Sequence, residues 1–367
     1  MQELSVNTVV ALWAFGLGLA LGAVVQRTNF CAMGAISDVV LLGDWKRFRA
    51  WLLAIAVALA GTQALYLSGL VDVSKSIYQS ANLGWAGVII GGLMFGFGMT
   101  MTGGCGNRTV VRLGAGNLKS LVVFLVMGIF AYMTLGGVIA LARIELDTLT
   151  AFDMRSLGLD SQSIPQLLAI ATGMPSSIAT AAVLAAVILG LLWFCFHDRA
   201  FRASPRNIVA GAAIGLVVTA GWYITGVVGY DDFEPTRLES ITFVAPVGES
   251  LLYVMTFTGS KIDFGIALIG GVIVGAFAAA TLSGTFRVEV FADAADMVRH
   301  LVGGALMGTG GVLALGCTFG QGITGNSTLS LGSLLAFGSI VLGGVLGIRY
   351  LEEGSLGRAI RAVVAHR

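Results

Sequence analysis

GWAGVIIGGLMFGFGMTMTGGCGNRTVVRLGAG, Gly84 to Gly116, decides how the rest of the chain is read. Its first half is an apolar run of bilayer-spanning length. Its second half sets a cysteine, an asparagine and two arginines among closely spaced glycines. GCTFGQGITGN, Gly316 to Asn326, repeats the arrangement, an apolar run followed by a segment built around a glycine–cysteine pair. Composition places both in a membrane. The 367 residues are 56% hydrophobic and 11% charged, against about 25% charged in a soluble domain, and the mean hydropathy is +0.90. The expected fold is an all-α polytopic membrane protein. The start MQELSVN lacks the basic region of a cleavable signal peptide, and a net charge of +1 implies no nucleic-acid partner.

Nine apolar spans of bilayer length are expected at roughly 9–25, 50–68, 84–101, 117–142, 170–195, 207–228, 264–283, 299–315 and 328–349. Four shorter pieces near 29–42, 103–114, 244–257 and 317–327 read as re-entrant half-helices, since broken backbone at membrane depth must be buried in protein or line a cavity. The basic stretches DWKRFR (44–49), HDRAFRASPR (197–206) and GRAIRAVVAHR (357–367) place those ends in the cytoplasm. The acidic loops 143–165 (Glu145, Asp147, Asp153, Asp160) and 229–240 (Asp231, Asp232, Glu234, Glu239) fall outside. The N-terminus is then external and the C-terminus internal.

The halves resemble each other. Aligning 93–109 with 305–321 pairs Gly96, Gly98, Gly104 and Cys105 with Gly308, Gly310, Gly316 and Cys317. Gly18 and Gly22 pair with Gly211 and Gly215, and Phe30, Ala32 and Ser37 with Phe243, Ala245 and Ser250. The division expected is a first repeat over 1–143, an outer loop and linking span over 144–198, an inverted second repeat over 199–350 and a basic tail over 351–367. Inverted repeats with broken helices point to a transporter with its site at the repeat interface, although glycine periodicity also arises from ordinary helix contacts.

Cys31, Cys105 and Cys317 fall at breaks, whereas Cys195, in LLWFCFHD, reads as a small packing residue. The glycines, Gly104 and Gly316 among them, let the backbone turn and let a solute approach peptide groups. Half-helix N-termini favour anions. Arg27, Arg108 and Arg112 either draw an anion inward or snorkel to the surface. Asn107, Gln321, Thr324 and Asn326 offer neutral hydrogen bonds or caps. A thiol with a pKa near 8.5, roughly, is mostly protonated at neutral pH, and its S–H can point at a polarizable sulfur acceptor. Thiols beside positive dipoles therefore suit a soft, sulfur-bearing anion. Asp38 and Glu249, inside half-helix segments, could couple protons or cap helices. No phosphate loop for ATP is present.

At QRTNFCAMGAISD, GGCGNRTVVRLGAGN and GCTFGQGITGN the chain resembles the YeeE/YedE family of bacterial inner-membrane proteins, and the resemblance covers nearly its whole length. It implies uptake of thiosulfate through a narrow waist between two funnels, with Cys31, Cys105 and Cys317 handing the anion on by S–H···S contacts. It also implies a small cytoplasmic sulfur-carrier-like partner, no cofactor and no enzymatic activity. Some relatives are linked to selenium, so another sulfur or selenium species is an alternative. LGC at the second break departs from the GGC of the first. Copper(I) is a second alternative, because Met33, Met99 and Met101 lie near the cysteines, although neighbouring arginines oppose a cation. A sulfurtransferase would need a base or cation beside an activated thiol, and no histidine adjoins a motif cysteine.

Overall fold

The computed structural model describes residues 5–231 and 236–365. Within them the chain is almost entirely helical. In order come α1 (Val6–Thr28), α2 (Ala32–Ser37), α3 (Lys46–Leu67), α4 (Trp85–Met101), α5 (Gly106–Gly114), α6 (Leu118–Leu135), α7 (Val138–Thr150), α8 (Ile164–Thr172), α9 (Ser176–His197) and α10 (Arg199–Arg202). They continue with α11 (Pro205–Tyr223), α12 (Val244–Met255), α13 (Phe264–Leu282), α14 (Ala294–Leu313), α15 (Leu331–Glu353) and α16 (Leu356–Ala365). Single π turns extend α2 over Asp38–Leu42 and α11 over Ile224–Val228, and another forms Gly320–Gly325. The protein is an all-α polytopic membrane protein. Among the described residues eight helical stretches are long and apolar enough to cross a bilayer. α14 fills the ninth expected place and is less apolar because Asp296, Arg299 and His300 occupy its first turns.

Short polar residues start the helices at the membrane edges. Ser5, Asn117, Asp263, Asp293 and Ser330 each accept an N–H from the first turn of α1, α6, α13, α14 and α15, which satisfies donors that otherwise lack a partner. The helices then meet through glycine. α1 packs on α13, α3 on α11, α4 on α14 and α15, and α6 on α14. At Gly98 and Gly310 a Cβ would stand 2.7 Å from the Gly303 carbonyl and 2.6 Å from the Gly91 carbonyl, so only glycine lets α4 and α14 approach this closely. Large apolar side chains such as Leu12, Trp13, Ile129 and Leu189 are left exposed on the outer faces, where lipid would cover them.

Three expected boundaries move. The span drawn over 117–142 breaks at Gly136–Gly137, where α6 ends and α7 begins. The stretch 143–165 is ordered: Ala151–Asp153 (β2) pairs antiparallel with Asn82–Gly84 (β1), Leu83 facing Phe152. The span drawn from 170 begins at Ser176, because Gly173 takes a left-handed conformation after α8 and Pro175 starts α9. Periodicity could not separate these pieces, since all are apolar. The residues Met1–Leu4, Asp232, Glu234, His366 and Arg367, used in the sequence reading, lie outside the described residues.

Candidate functional site

Each motif cysteine begins a broken helix. Cys31 is the N-cap of α2 and Cys105 the N-cap of α5, and neither makes a side-chain cap bond. Cys317 precedes the π turn, its carbonyl accepting from Gln321 N at 2.8 Å and its sulfur lying 3.5 Å from Gly320 N. A thiol is a poor cap compared with Ser, Asn or Asp, so the first amides of α2 and α5 are left without an intrahelical or capping partner. Cys31 Sγ and Cys105 Sγ are 3.8 Å apart and fully enclosed. The N-terminal ends of α2 and α5 therefore meet at one sulfur pair. The structure does not bring Cys317 to that pair. Its sulfur lies 4.0 Å from Thr242 Oγ1 instead.

An aromatic cluster joins the two places. Phe30 stacks on Trp51 at 4.8 Å between centroids, Trp51 meets Phe319 edge-on at 5.4 Å, and Phe243 meets Phe319 at 5.3 Å. All four are buried. Phe30 and Phe243 are the residues that immediately precede Cys31 and the start of α12.

Polar side chains beside the thiols lack partners. Asn107 is fully buried, and neither its Nδ2 nor its Oδ1 is hydrogen-bonded; Thr318 Oγ1 and Gln321 Oε1 are orphaned as well. Orphaned buried polar atoms cost about 1–3 kcal/mol each, so each of these calls for a partner that the protein's own side chains and backbone do not supply. Gln321 Nε2 is engaged with Ala314 O at 2.6 Å, Asn326 Nδ2 donates to Gly322 O at 3.1 Å, and Thr324 Oγ1 donates to Ile241 O at 2.7 Å. Asn326 and Thr324 therefore hold the second break in shape.

The arginines crowd the other side of the Cys31–Cys105 pair. Arg108 Nη2 donates to Asn29 Oδ1 at 2.7 Å while its Nη1 is buried without a partner. Arg112 Nη1 donates to Gly103 O at 3.0 Å, and Arg47 bridges Asn29 O at 3.0 Å and Asp38 at 3.1 Å. Gly104 lies against the Arg108 stem, and Gly103 has φ +66. Arg27 offers its carbonyl to Arg206. Asp38 is thus ion-paired, and Glu249 stands apart, at the opposite end of the molecule. Cys195 is buried and donates to Arg49 O at 3.3 Å, which fits its packing role. Among the described residues no group of three or more His, Cys, Asp or Glu side chains is arranged to hold a metal ion, and Met99 packs its methyl against Gly344.

Residues 27–346 match the family model described as sulphur transport. The chain belongs to the sulphur transport family. Two thiosulfate transporters named TsuA are similar over most of both chains. That of Escherichia coli is 26% identical, covering 89% of this chain and 90% of its own, and that of Spirochaeta thermophila is 27% identical, covering 89% and 94%. A probable transporter of Escherichia coli, YedE, is 30% identical over a shorter stretch, 25% of this chain and 20% of its own. Membership of the sulphur transport family agrees with the resemblance read from the cysteine motifs.

Sequence reasoning missed the cluster of Trp51 and Phe319, the Asn29 anchor, Thr242 and Thr318. Phe30 and Phe243 were aligned by the repeat, and an aromatic residue directly ahead of each half-helix was the available signal. Trp51 and Thr242 reach the site from other segments, and nothing in their local sequence marks them.

Proposed function

We propose that this protein carries thiosulfate inward across the bacterial inner membrane, along a route from Thr242 and Cys317, past the aromatic cluster, to Cys31 and Cys105 and out beside Asn107, Arg108 and Arg112. The observation that carries this reading is that both α2 and α5 begin on an uncapped cysteine, at sulfurs 3.8 Å apart. A dianion there would meet unpaired backbone N–H groups through its oxygens, favoured by the positive helix ends. Its outer sulfur would accept S–H from a thiol. The relatives that bear the name of thiosulfate transporter support the choice of substrate.

The repeat division supports an alternating or rocking conduit. Exchanging the halves turns the α1–α13 contact into α11–α3 and the α4–α15 contact into α14–α6, and all four contacts occur. The matched glycines follow the same exchange: Gly18 and Gly22 meet carbonyls of α13, while Gly211 and Gly215 meet carbonyls of α3. The orientation that goes with it places the start of α1 outside and the tail inside, where a small sulfur-carrier-like protein would receive the product of transport. This reading makes the chain a transporter and not an enzyme.

The test is uptake of labelled thiosulfate into vesicles, with wild type, Cys31→Ser, Cys105→Ser, Cys317→Ser and Cys195→Ser at matched levels. Loss in the first three variants, normal uptake in Cys195→Ser and weak competition by equimolar sulfate are expected. Strong sulfate competition, or uptake unaffected by the motif serines, overturns the thiol pathway. No uptake by wild type overturns the substrate.

A further inference from the structure

At the end of the bundle where α1 and α13 begin, a second polar cavity of about 250 Å3 opens. Among the described residues three carboxylates and two cations line it. Arg237 and Glu239 come from the segment ahead of α12, Glu249 from α12, and Lys261 and Asp263 from the turn into α13; neutral Asn7 faces them from the first turn of α1. Asp263 is committed as the N-cap of α13, accepting from Ile266 N at 2.8 Å. Among the described residues the side chains of Arg237, Glu239 and Glu249 make no hydrogen bond or ion pair. A guanidinium and two carboxylates that share a cavity and leave each other unpaired form a binding site more readily than a structural ion pair.

A short chain segment ties the edge of the cavity to the cysteine site. From Glu239 the chain runs straight on: Ser240 Oγ donates to Val218 O at 2.7 Å, Ile241 O accepts from Thr324, and Thr242 reaches Cys317. Three extended residues span at most about 10 Å, so Glu239 stands within that distance of the residue beside Cys317.

With every group ionised, the two cations and three carboxylates among the described lining residues sum to one net negative charge, which opposes an anion. Burial pushes the Glu239 carboxyl up to about 8, the Asp263 and Glu249 carboxylates add to the shift, and Arg237 opposes it. At neutral pH Glu239 is therefore mostly protonated. An arriving anion would hold that proton more firmly, and the proton would hold the anion.

We propose that this cavity is the first binding station for the transported anion and that the anion is bound there together with a proton on Glu239, Arg237 supplying the charge contact. The proposal rests on the transport reading above. The proton comes from bulk water and converts the Glu239 carboxylate to its acid, with no other bond made or broken. Since the protonated form binds, affinity is full below about pH 8 and falls as pH rises through it.

The test is calorimetric titration of the purified full chain with thiosulfate, in buffers of different ionisation enthalpy. Wild type should take up roughly half a proton per anion near its midpoint, and its Kd should weaken about tenfold between neutral pH and two units above. Glu239→Gln should take up none and bind with a flat pH profile, and Glu239→Asp should restore the uptake. Arg237→Gln should weaken binding at every pH and keep the proton. Proton uptake that survives Glu239→Gln, or that disappears in Glu249→Gln instead, overturns the assignment. Vesicle uptake by wild type without any proton taken up on binding sinks this inference and leaves the transport reading standing; absence of both uptake and binding sinks the two together.

Discussion

The two glycine–cysteine breaks share a left-handed turn ahead of the cysteine and differ in chemistry after it. In each, the residue two positions before the cysteine is left-handed: Gly103 at φ +66 in the first and Leu315 at φ +57 in the second. Glycine takes that conformation freely, whereas a leucine there is strained by about 1–2 kcal/mol. After the cysteine the first break enters α5, which carries Arg108 and Arg112, and the second enters a π turn whose side chains are neutral. On the proposed repeat, the two halves share this left-handed hinge. Each half then sets its own charge: on the first side within the motif, on the second side in the separate cavity around Arg237. If the halves are repeats, a pseudo-symmetric backbone would in this way serve a directional task.

The largest effect should be one that treats the halves alike. Gly98→Leu and Gly310→Leu each drive a side chain into a backbone carbonyl of the facing helix, whereas Gly338 has nothing within 4 Å. Each of the first two should lose about 3 kcal/mol, read as a fall in thermal unfolding temperature, with Gly338→Leu near wild type. Tolerance in one half alone would break the packing symmetry.

Next comes a change that should separate the breaks. Asn107→Leu removes an orphaned buried amide, so the fold should be no weaker, while uptake falls by about 100-fold if the amide donates to a charged solute worth roughly 3 kcal/mol. Thr318→Val, at the neutral break, should cost only about tenfold by the same reasoning. Equal losses would show that the charge asymmetry does not reach the solute.

Smaller still is the exchange of hinge residues. Leu315 is 44% exposed, so Leu315→Gly gives up little packing. It should raise stability by about 0.5–1 kcal/mol, the relieved strain less the entropy of a new glycine. Gly103→Leu should lower it by about 1–2 kcal/mol. Denaturant titration reads both, and a Leu315→Gly variant that is less stable would mean the leucine holds the second break by packing. The smallest effect belongs to Cys195→Ser. A hydroxyl can replace the S–H donated to Arg49 O, so stability within about 0.5 kcal/mol and normal uptake are expected; a measurable uptake defect would extend the route to a fourth thiol.

How far the sequence carried can be argued from these residues. The spans were legible because a bilayer demands long apolar runs, and the breaks because glycine clusters around cysteine have no use inside an ordinary helix. The departure of LGC from GGC was visible as a letter, but that Leu315 keeps the left-handed backbone of Gly103 was not, since a strained conformation leaves no compositional trace. The meeting of Cys31 with Cys105 follows from how α2 and α5 are held by neighbouring helices, and the separation of Cys317 follows from the rings of Phe30, Trp51, Phe243 and Phe319. Such arrangements are set by contacts between distant segments. Gly136–Gly137 was misread for the opposite reason: the break lies inside an apolar stretch that hides it.

The ring cluster has an electrical consequence. Apart from the unpartnered indole N–H of Trp51, its four side chains offer no polar atom, so a continuous file of hydrogen-bonded water has nothing to hold on to there. Protons hop along such files. A conduit for an anion that let one form would short-circuit the ion gradient its own membrane maintains. On the proposed route the stacked rings would act as an insulating washer: a solute that crosses would exchange its water for peptide N–H and thiol at the cysteine pair, and between crossings the washer would stay dry.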